Sequence, residues 1–159
     1  MLSPLTATAT FACGCFWSKQ YFFDRLTGVR NTRVGFTGGH VPDVDYRQVC
    51  TKTTGHAEAV EVRYNPDQLS YQQLLEAFFG MHDATVDRRA KGGQYRSAIF
   101  YHTMAQRDAA MAYVDRLAAK GIAVSTEIVP ATAFWPAGKR HQGYCAVRGM
   151  TPSVKGVTG

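Results

Sequence analysis

A single stretch, residues 57–79, limits the possible folds more than any other. Its first part, "AEAVEVRY" (57–64), alternates apolar and polar side chains with the period of two that is typical of a strand. The turn "NPDQ" follows, and Ser70 with Gln73 has the spacing of a capping box, which predicts the start of a helix. Apolar side chains then recur at helical spacing: Tyr71, Leu74, Leu75, Phe78 and Phe79. The stretch therefore predicts one strand followed by one amphipathic helix.

The same two periods predict the other elements of the chain. They are strand 8–13, helix 16–26, strand 31–36, strand 95–101, a helix capped by Thr103 that ends at Gly121, and strand 123–129. Together with residues 57–79 they give the order β-α-β-β-α-β-α-β. This order predicts an α+β fold, a ferredoxin-like two-layer sandwich with a β-α-β-β-α-β core plus an additional α-β, and helices on one face of the sheet.

The segments between these elements predict where function lies. Residues 37–56 and 82–94 have no periodicity, and loops of this length inside a compact domain are commonly functional. From Pro130 onward we predict an irregular C-terminal tail that could fold over these loops. The 159 residues fit a single domain, 1–159, whose ends, 1–7 and 150–159, we expect to be flexible.

Composition and charge argue against several classes of partner. The 18 Lys and Arg side chains give a net charge of +6, but they are scattered along the chain, so we expect no nucleic-acid binding. No apolar run reaches the roughly 18–20 residues of a membrane span, and we recognise no signal peptide. Four cysteines are too few for a disulfide scaffold. We therefore expect a cytoplasmic monomer with reduced or catalytic thiols, no membrane contact and no bound cofactor.

Cys15, in the segment "ACGCFWS" (12–18), is the first candidate for chemistry. It lies between the end of the first predicted strand and the start of the first predicted helix, where free backbone N–H groups and the helix dipole favour an anion. This position predicts a stabilised thiolate and hence a nucleophile. The alternative interpretation is a small buried apolar residue, which is a common role of a free cysteine.

Glu58 is the second candidate. In the strand 57–64 its side chain shares one face with Val60, Val62 and Tyr64, so a carboxylate lies among apolar side chains. Burial without a cationic partner raises the pKa of a carboxyl group, and a protonated glutamate can donate a proton to a developing oxyanion. The alternative is that Glu58 emerges at the edge of the sheet and is solvated. Alternation does not decide between the two.

Tyr46 and Tyr95 are candidates for binding an oxygen atom. They lie in the two irregular stretches, in "DYRQVC" (45–50) and "GGQYRS" (92–97), and each is followed by an arginine. A phenol is a neutral hydrogen-bond donor, and two of them could hold one polarised oxygen between them. Taken alone, each tyrosine is as readily explained by packing with a satisfied hydroxyl group.

A metal site is the competing hypothesis. Cys13 and Cys15 could form a two-thiolate site for a soft ion such as Cu(I), in a ferredoxin-like metal-binding domain without turnover. The histidines that could join them are spread over three segments: His56, His82 and His141. However, C-x-C without a second closely spaced pair departs from the usual zinc spacing, so we expect no metal.

Seven segments, in the same order along the chain, resemble those of the peptide methionine sulfoxide reductase A family. They are "GCFWS" (14–18), "TRVGFTGGH" (32–40), "DYRQVC" (45–50), "TGHAEAVEV" (54–62), "HDAT" (82–85), "GGQYRSAIFY" (92–101) and "FWPAGKRHQGY" (134–144). The resemblance extends over residues 8–149. It implies reduction of the S epimer of methionine sulfoxide, free or in proteins, to methionine. It also implies recycling by a thioredoxin-type reductant.

The resemblance assigns a role to individual residues. It implies that Cys15 attacks the sulfoxide sulfur and becomes a sulfenic acid. It implies that Glu58 donates the proton and that Tyr46 and Tyr95 bind the sulfoxide oxygen. The residues implied to bind the remainder of the substrate are Gly14, Phe16, Trp17 and His141. Phe16 and Trp17 would form the pocket for the substrate methyl group.

The sequence departs from the family pattern at two functional positions. The family's aspartate before the second tyrosine has no counterpart, and Lys91, Gly92 and Gly93 lie near its place. The family's glycine-rich cysteine tail is not present in its common form, because Cys145 follows "HQGY" directly.

A second thiol must condense with the sulfenic acid to form a disulfide. Cys13 is only two residues from Cys15, and a bond across that spacing would strain the preferred disulfide geometry. Cys145 lies in a tail that contains several glycines and could move without disturbing packed structure. We therefore favour Cys145 as the resolving cysteine, with Cys50 as the alternative.

Overall fold

The computed structural model describes residues 5–153, which contain six strands and five α-helices. The strands are β1 (Ala7–Cys13), β2 (Val29–Thr37), β3 (Ala57–Tyr64), β4 (Ser97–Tyr101), β5 (Glu127–Pro130) and β6 (Trp135–Pro136). The α-helices are α1 (Phe16–Asp24), α2 (Tyr46–Cys50), α3 (Tyr71–Gly80), α4 (Met104–Ala119) and α5 (Tyr144–Val147). No helix within the described residues is long and apolar enough to cross a membrane. Residues 1–4 and 154–159, most of the ends predicted to be flexible, lie outside the described part.

The predicted capping signals coincide with the observed helix starts. The Ser70 hydroxyl accepts a hydrogen bond from the backbone N–H of Gln73, and the Gln73 side chain accepts one from the Ser70 N–H. Thr103 accepts a hydrogen bond from the Gln106 N–H at the start of α4. These local bonds satisfy backbone donors that a helix otherwise leaves free, which is why α3 and α4 begin where the sequence predicts.

The strands form one sheet in the order β5-β4-β1-β3-β2-β6. β1 pairs antiparallel with β3 and β4, β3 pairs antiparallel with β2, and β4 pairs in parallel with β5. β3 therefore lies in the interior of the sheet with a hydrogen-bonded strand on either side. Glu58 lies beyond the last residue of β3 that pairs with β1, opposite Phe36 of β2, and the start of α1 lies against its side chain.

The main core lies between one face of the sheet and the helices. Its fully buried large side chains include Phe11, Phe23, Val34, Phe36, Leu74, Phe78 and Ile99. The opposite face carries a smaller cluster of Ala12, Ala57, Ala59, Ala98 and Phe100, against which Phe134 packs. The α+β class is thus confirmed, with helices on one face and the segment after β5 partly covering the other.

The loop 37–56 contains a helix that the sequence pattern did not predict. Residues 46–50 form α2, and Asp45 accepts a hydrogen bond from the Gln48 N–H while the Gln48 side chain accepts one from the Asp45 N–H. A helix of five residues is too short to reveal a period, but the Asp45–Gln48 capping box was a usable local signal.

The prediction of an irregular C-terminal tail missed two short elements, although most of the described tail has no regular secondary structure. β6 pairs with β2, and α5 packs against α1. The Gln142 side chain accepts a hydrogen bond from the Val34 N–H and donates to the carbonyl oxygens of Val34 and Ala137, each at 2.9 Å. Bonds from a side chain to a distant backbone leave no periodic signal in the sequence, which explains the error.

Arg96 ties the two long loops together. Its buried guanidinium donates to the carbonyl oxygen of Gly55 at 3.0 Å and to that of Gly93 at 2.9 Å. Its Nε atom pairs with Oε1 of Glu127 on β5 at 2.8 Å. Gly55 belongs to the loop 37–56 and Gly93 to the loop 82–94, so one side chain holds both loops against the sheet.

Candidate active site

Cys15 lies in a sharp turn between β1 and α1. The turn depends on Gly14, whose φ of +109° is one that side chains other than glycine rarely adopt. Cys15 is the N-cap residue of α1 and is half-buried. The prediction of a cysteine between a strand end and a helix start is therefore correct in position.

The expectation of a stabilised thiolate at Cys15 is not met in this structure. Burial raises the pKa of the Cys15 thiol above its ordinary value, and the charge of Glu58 raises it further. The backbone amides of Trp17 and Ser18 at the helix start lower the pKa, but they do not outweigh burial. The helix start does lower the pKa of Cys15, as the sequence predicts. The fold also buries the sulfur and places Glu58 near it, and these effects raise the pKa.

We expect this raised pKa to be visible in the reactivity of Cys15. Alkylation by iodoacetamide requires the thiolate, so its rate should rise about tenfold per pH unit from neutrality and level off only above pH 9. The measurement is the modification rate of Cys15 followed by mass spectrometry across this pH range. A rate that is already constant near neutrality would contradict the raised pKa.

Glu58 is buried at the start of α1, with 1% of its surface exposed. Its Oε1 atom accepts a hydrogen bond from the Phe16 N–H at 3.1 Å, and its Oε2 atom accepts one from Nε2 of Gln94 at 2.7 Å. Burial raises the pKa of the Glu58 carboxyl group, although these two donors and Lys52 act in the opposite direction. The solvated alternative for Glu58 is thereby excluded, and an acid lies next to the residue that follows Cys15.

Gln94 holds this acid in place, and sequence reasoning missed it. Its backbone oxygen accepts from the Glu58 N–H at 2.9 Å, in addition to the side-chain bond already described. Its Oε1 atom accepts from Nζ of Lys52 at 3.3 Å, which fixes the orientation of the amide. The signal was available, since Gln94 directly precedes the candidate Tyr95 in "GGQYRS".

Tyr46 and Tyr95 meet at the same place as Glu58. Tyr46 is the first residue of α2, and burial raises the pKa of its phenol. Burial also raises the pKa of Tyr95, and the charge of Glu58 adds to this effect. Both phenols therefore keep their protons at neutral pH and remain hydrogen-bond donors.

An aromatic wall, composed of Trp17, Tyr46, His141 and Tyr144, adjoins Cys15. The rings of Trp17 and Tyr144 stack with centroids 3.9 Å apart, and the ring of Tyr46 lies 6.0 Å from that of Trp17. Phe16, by contrast, is only 1% exposed and contributes to the core beneath the wall. Trp17 is half-buried and presents the exposed aromatic surface, whereas the resemblance implied that both residues form it.

His141 orients Trp17. Nε1 of the indole donates to Nδ1 of His141 at 3.0 Å, and the two rings stack at 5.8 Å. Burial and the nearby Arg140 lower the pKa of His141, so the imidazole is neutral and carries its proton on Nε2. Nε2 is buried and has no hydrogen-bond partner among the described residues.

We expect Trp17→Ala to weaken substrate binding more than it slows the chemical step. Loss of one apolar contact to a methyl group is worth about 1–3 kcal/mol, so KM should rise for methyl sulfoxides and the preference over bulkier sulfoxides should relax. Trp17→Phe is the matched control, because it keeps an aromatic face and removes the bond to His141. Equal KM values for the wild type and a folded Trp17→Ala variant would contradict this role.

The four cysteines occupy different environments and are all free thiols. Cys13 is buried in the core, where burial raises the pKa of its thiol to about 12. Cys50 is exposed, and its sulfur lies 3.5 Å from Nε2 of Gln94. Cys145 is buried on α5, which packs against α1, and it is near enough for its charge to raise the pKa of Cys15.

Two of the histidines considered as metal ligands bind backbone atoms instead. Nδ1 of His56 accepts from the Gly39 N–H, and Nε2 of His56 lies 2.6 Å from the Val41 carbonyl oxygen. His82 contacts the Phe78 carbonyl oxygen, and burial lowers its pKa to about 4. Within residues 5–153 no group of three or more His, Cys, Asp and Glu side chains could hold a metal ion.

Comparisons with known proteins bear on the family and the fold of this chain. A family model described as peptide methionine sulfoxide reductase matches residues 7–154. The peptide methionine sulfoxide reductase MsrA of Acidobacterium capsulatum is 47% identical over 150 residues, which cover 91% of this chain and 96% of that protein. Mxr1 from Saccharomyces cerevisiae in reduced form has a TM-score of 0.85 at 29% identity, with 94% of this chain and 89% of Mxr1 covered. Mxr1 in complex with Trx2 has a TM-score of 0.62 at 23% identity over 87% and 84% of the two chains, a likeness of fold alone.

Proposed function

Because the chain belongs to the peptide methionine sulfoxide reductase family, we propose that Cys15 is the nucleophile and Glu58 the proton donor of its reaction. The reaction is the thiol-dependent reduction of methionine sulfoxide to methionine. The observation that carries the proposal is the hydrogen bond that the N–H of Phe16, the residue after Cys15, donates to the Glu58 carboxyl group. A buried acid and a thiol at one helix start are the two groups that oxygen transfer requires.

The proposed step transfers one oxygen atom. The sulfur of Cys15 attacks the sulfoxide sulfur while protonated Glu58 delivers its proton to the sulfoxide oxygen. The S=O bond breaks, the oxygen passes to the Cys15 sulfur, and the substrate leaves as methionine. The thiol is oxidised to a sulfenic acid as the sulfoxide is reduced, and the thiol proton returns to Glu58.

The raised pKa values support an order of events in this step. Burial raises the pKa of both groups, and an ionised Glu58 raises the pKa of Cys15 further, so the folded protein favours the protonated acid and the protonated thiol over their ions. Once the proton of Glu58 is shared with the sulfoxide oxygen, the thiol can ionise, with Tyr46 and Tyr95 donating to the same oxygen. We propose that the aromatic wall, which includes His141, holds the methyl group of the substrate. Gly14 completes the substrate site. The substrate would be the S epimer, free or in proteins.

We propose that Cys145 resolves the sulfenic acid. Its placement on α5 against α1, within the electrostatic reach of Cys15, supports this assignment over Cys50, which contacts Gln94. Condensation of the Cys145 thiol with the sulfenic acid gives a disulfide and releases water. A thioredoxin-type dithiol would then reduce the disulfide, as the complex of the related Mxr1 with Trx2 suggests.

The test treats the reduced protein with one equivalent of a methyl sulfoxide and no added reductant, then maps its disulfides. A Cys15–Cys145 linkage is expected, and Cys145→Ser should leave a sulfenic acid on Cys15 that a dimedone probe captures. A Cys15–Cys50 linkage in the wild type would overturn the assignment of Cys145. Release of no methionine would overturn the proposed nucleophile as well.

We make further proposals about the domain organisation, the cellular role and the oligomeric state of the protein. We propose that residues 1–159 act as a single domain and that the central order β4-β1-β3-β2 corresponds to a ferredoxin-like sandwich, which its antiparallel pairing supports. We propose a role in protein repair under oxidative stress in the cytoplasm, which the four free thiols support. We propose a monomer, and sedimentation equilibrium tests it.

A further inference from the structure

A cavity of about 240 Å³ beside Tyr95 is lined by basic side chains. Its lining residues are Lys52, Arg88, Ala90, Lys91, Gln94 and Tyr95, with no carboxylate among them. The guanidinium carbon of Arg88 lies 5.2 Å from the centre of the Tyr95 ring, and Nζ of Lys52 lies 5.4 Å from it. Two cationic groups thus lie near the phenol that the proposed function assigns to the sulfoxide oxygen, and Lys91 lines the same cavity.

These three side chains form no ion pair within the described part of the chain, although the charge of Lys52 acts on Glu58 from a distance. None of Lys52, Arg88 and Lys91 takes part in the ion pairs found among residues 5–153. The nearby Asp87 is paired with Arg89 at 2.7 Å. Asp83, which lines an adjoining cavity together with Arg88, accepts hydrogen bonds from Thr85.

The cavity is built by direct contact between the two long loops. A Cβ atom added to Gly92 would lie 2.4 Å from the backbone oxygen of Lys52, so only glycine permits this approach. Lys52 also donates from Nζ to the Gln94 side chain at 3.3 Å. On the other side, a Cβ atom on Gly14 would lie 3.6 Å from Nη1 of Arg88, so the basic group reaches the residue before Cys15.

We propose, resting on the proposed function, that this cavity binds a carboxylate of the substrate while the sulfoxide is held at Tyr95. A carboxylate that enters a partly enclosed site beside an arginine and two lysines gains charge-assisted hydrogen bonds to them. The preferred substrates are therefore methionine sulfoxides with a carboxylate close to the sulfoxide. That carboxylate comes either from the chain terminus of methionine itself or from an aspartate or glutamate next to it in a protein.

The test compares kcat/KM for two matched pairs of S-sulfoxide substrates at low and high ionic strength. The first pair consists of amide-capped peptides in which aspartate or asparagine flanks the methionine sulfoxide. The second pair consists of N-acetylmethionine sulfoxide and its methylamide. The protein variants are Arg88→Gln with Lys91→Gln, and Lys120→Gln as the matched control, since Lys120 follows α4 and lines neither cavity.

We expect the anionic member of at least one pair to be favoured about tenfold at low ionic strength, with the preference falling as salt is added. The peptide pair reports an acidic side chain as the source, and the second pair reports the terminal carboxylate. The Arg88→Gln, Lys91→Gln protein should lose the preference and Lys120→Gln should keep it.

Equal kcat/KM values within both pairs, or an equal loss of preference in Lys120→Gln, would overturn the proposal. Failure of the wild type to reduce even the neutral members would instead overturn the proposed function.

Discussion

Replacing Cys15 with serine should leave less than about one per cent of the wild-type rate of methionine sulfoxide reduction, even with excess dithiothreitol. A hydroxyl group neither ionises nor attacks sulfur as a thiolate does, so no later step can compensate. The measurement is methionine released in a single turnover, which does not depend on the resolving cysteine. Cys50→Ser and Cys145→Ser are the matched controls, and each should still release about one equivalent, because sulfenic acid formation precedes disulfide formation. Substantial turnover by a folded Cys15→Ser protein would remove Cys15 from the mechanism.

Replacing Glu58 with glutamine should slow the chemical step by about 10²- to 10⁴-fold, the usual contribution of a general acid. The amide oxygen can still accept the bond from the Phe16 N–H, but the amide nitrogen cannot accept the bond that Gln94 donates to Glu58, so the loss combines the missing proton with one missing contact. The measurement is the single-turnover rate under saturating substrate, with circular dichroism to confirm that the variant is folded.

The same variant has a second readout that moves in the opposite direction. In its ionised form Glu58 raises the pKa of Cys15, so replacement by a neutral amide should lower that pKa and speed the alkylation of Cys15 at a fixed pH between neutrality and pH 9. A non-specific disturbance of the site would slow both sulfoxide reduction and Cys15 alkylation, or neither of them. Unchanged reduction together with unchanged alkylation would exclude Glu58 from the site chemistry.

Much of the fold could be predicted from local signals. The alternation in the sequence of β3, the capping box before α3 and the Thr103 cap of α4 are properties of a few neighbouring residues, and they need no knowledge of the rest of the chain. The segment after Pro130 was not predictable in this way. Its structure depends on Gln142 reaching Val34, 108 positions away in sequence.

The same distinction between local sequence signals and long-range contacts applies to the candidate site. Alternation placed Glu58 on an apolar face but could not decide whether it was solvated, because that depends on the start of α1 and on Gln94, which cover its carboxyl group in the fold. The helix start beside Cys15 predicted a lowered pKa, whereas burial and Glu58 dominate in the folded protein. Local patterns identified which residues to consider, and long-range packing set their ionisation.

The bonds of Arg96 have a consequence for how the substrate range of such an enzyme can change. The loop that carries Tyr46 and the loop that carries Tyr95 are attached to the same guanidinium, through Gly55 and Gly93. A length change in either loop displaces the carbonyl oxygen that this loop offers to Arg96, and a shift of the guanidinium then disturbs its bond to the other loop. Loop exchange between relatives should therefore succeed better when both segments are transplanted as a pair.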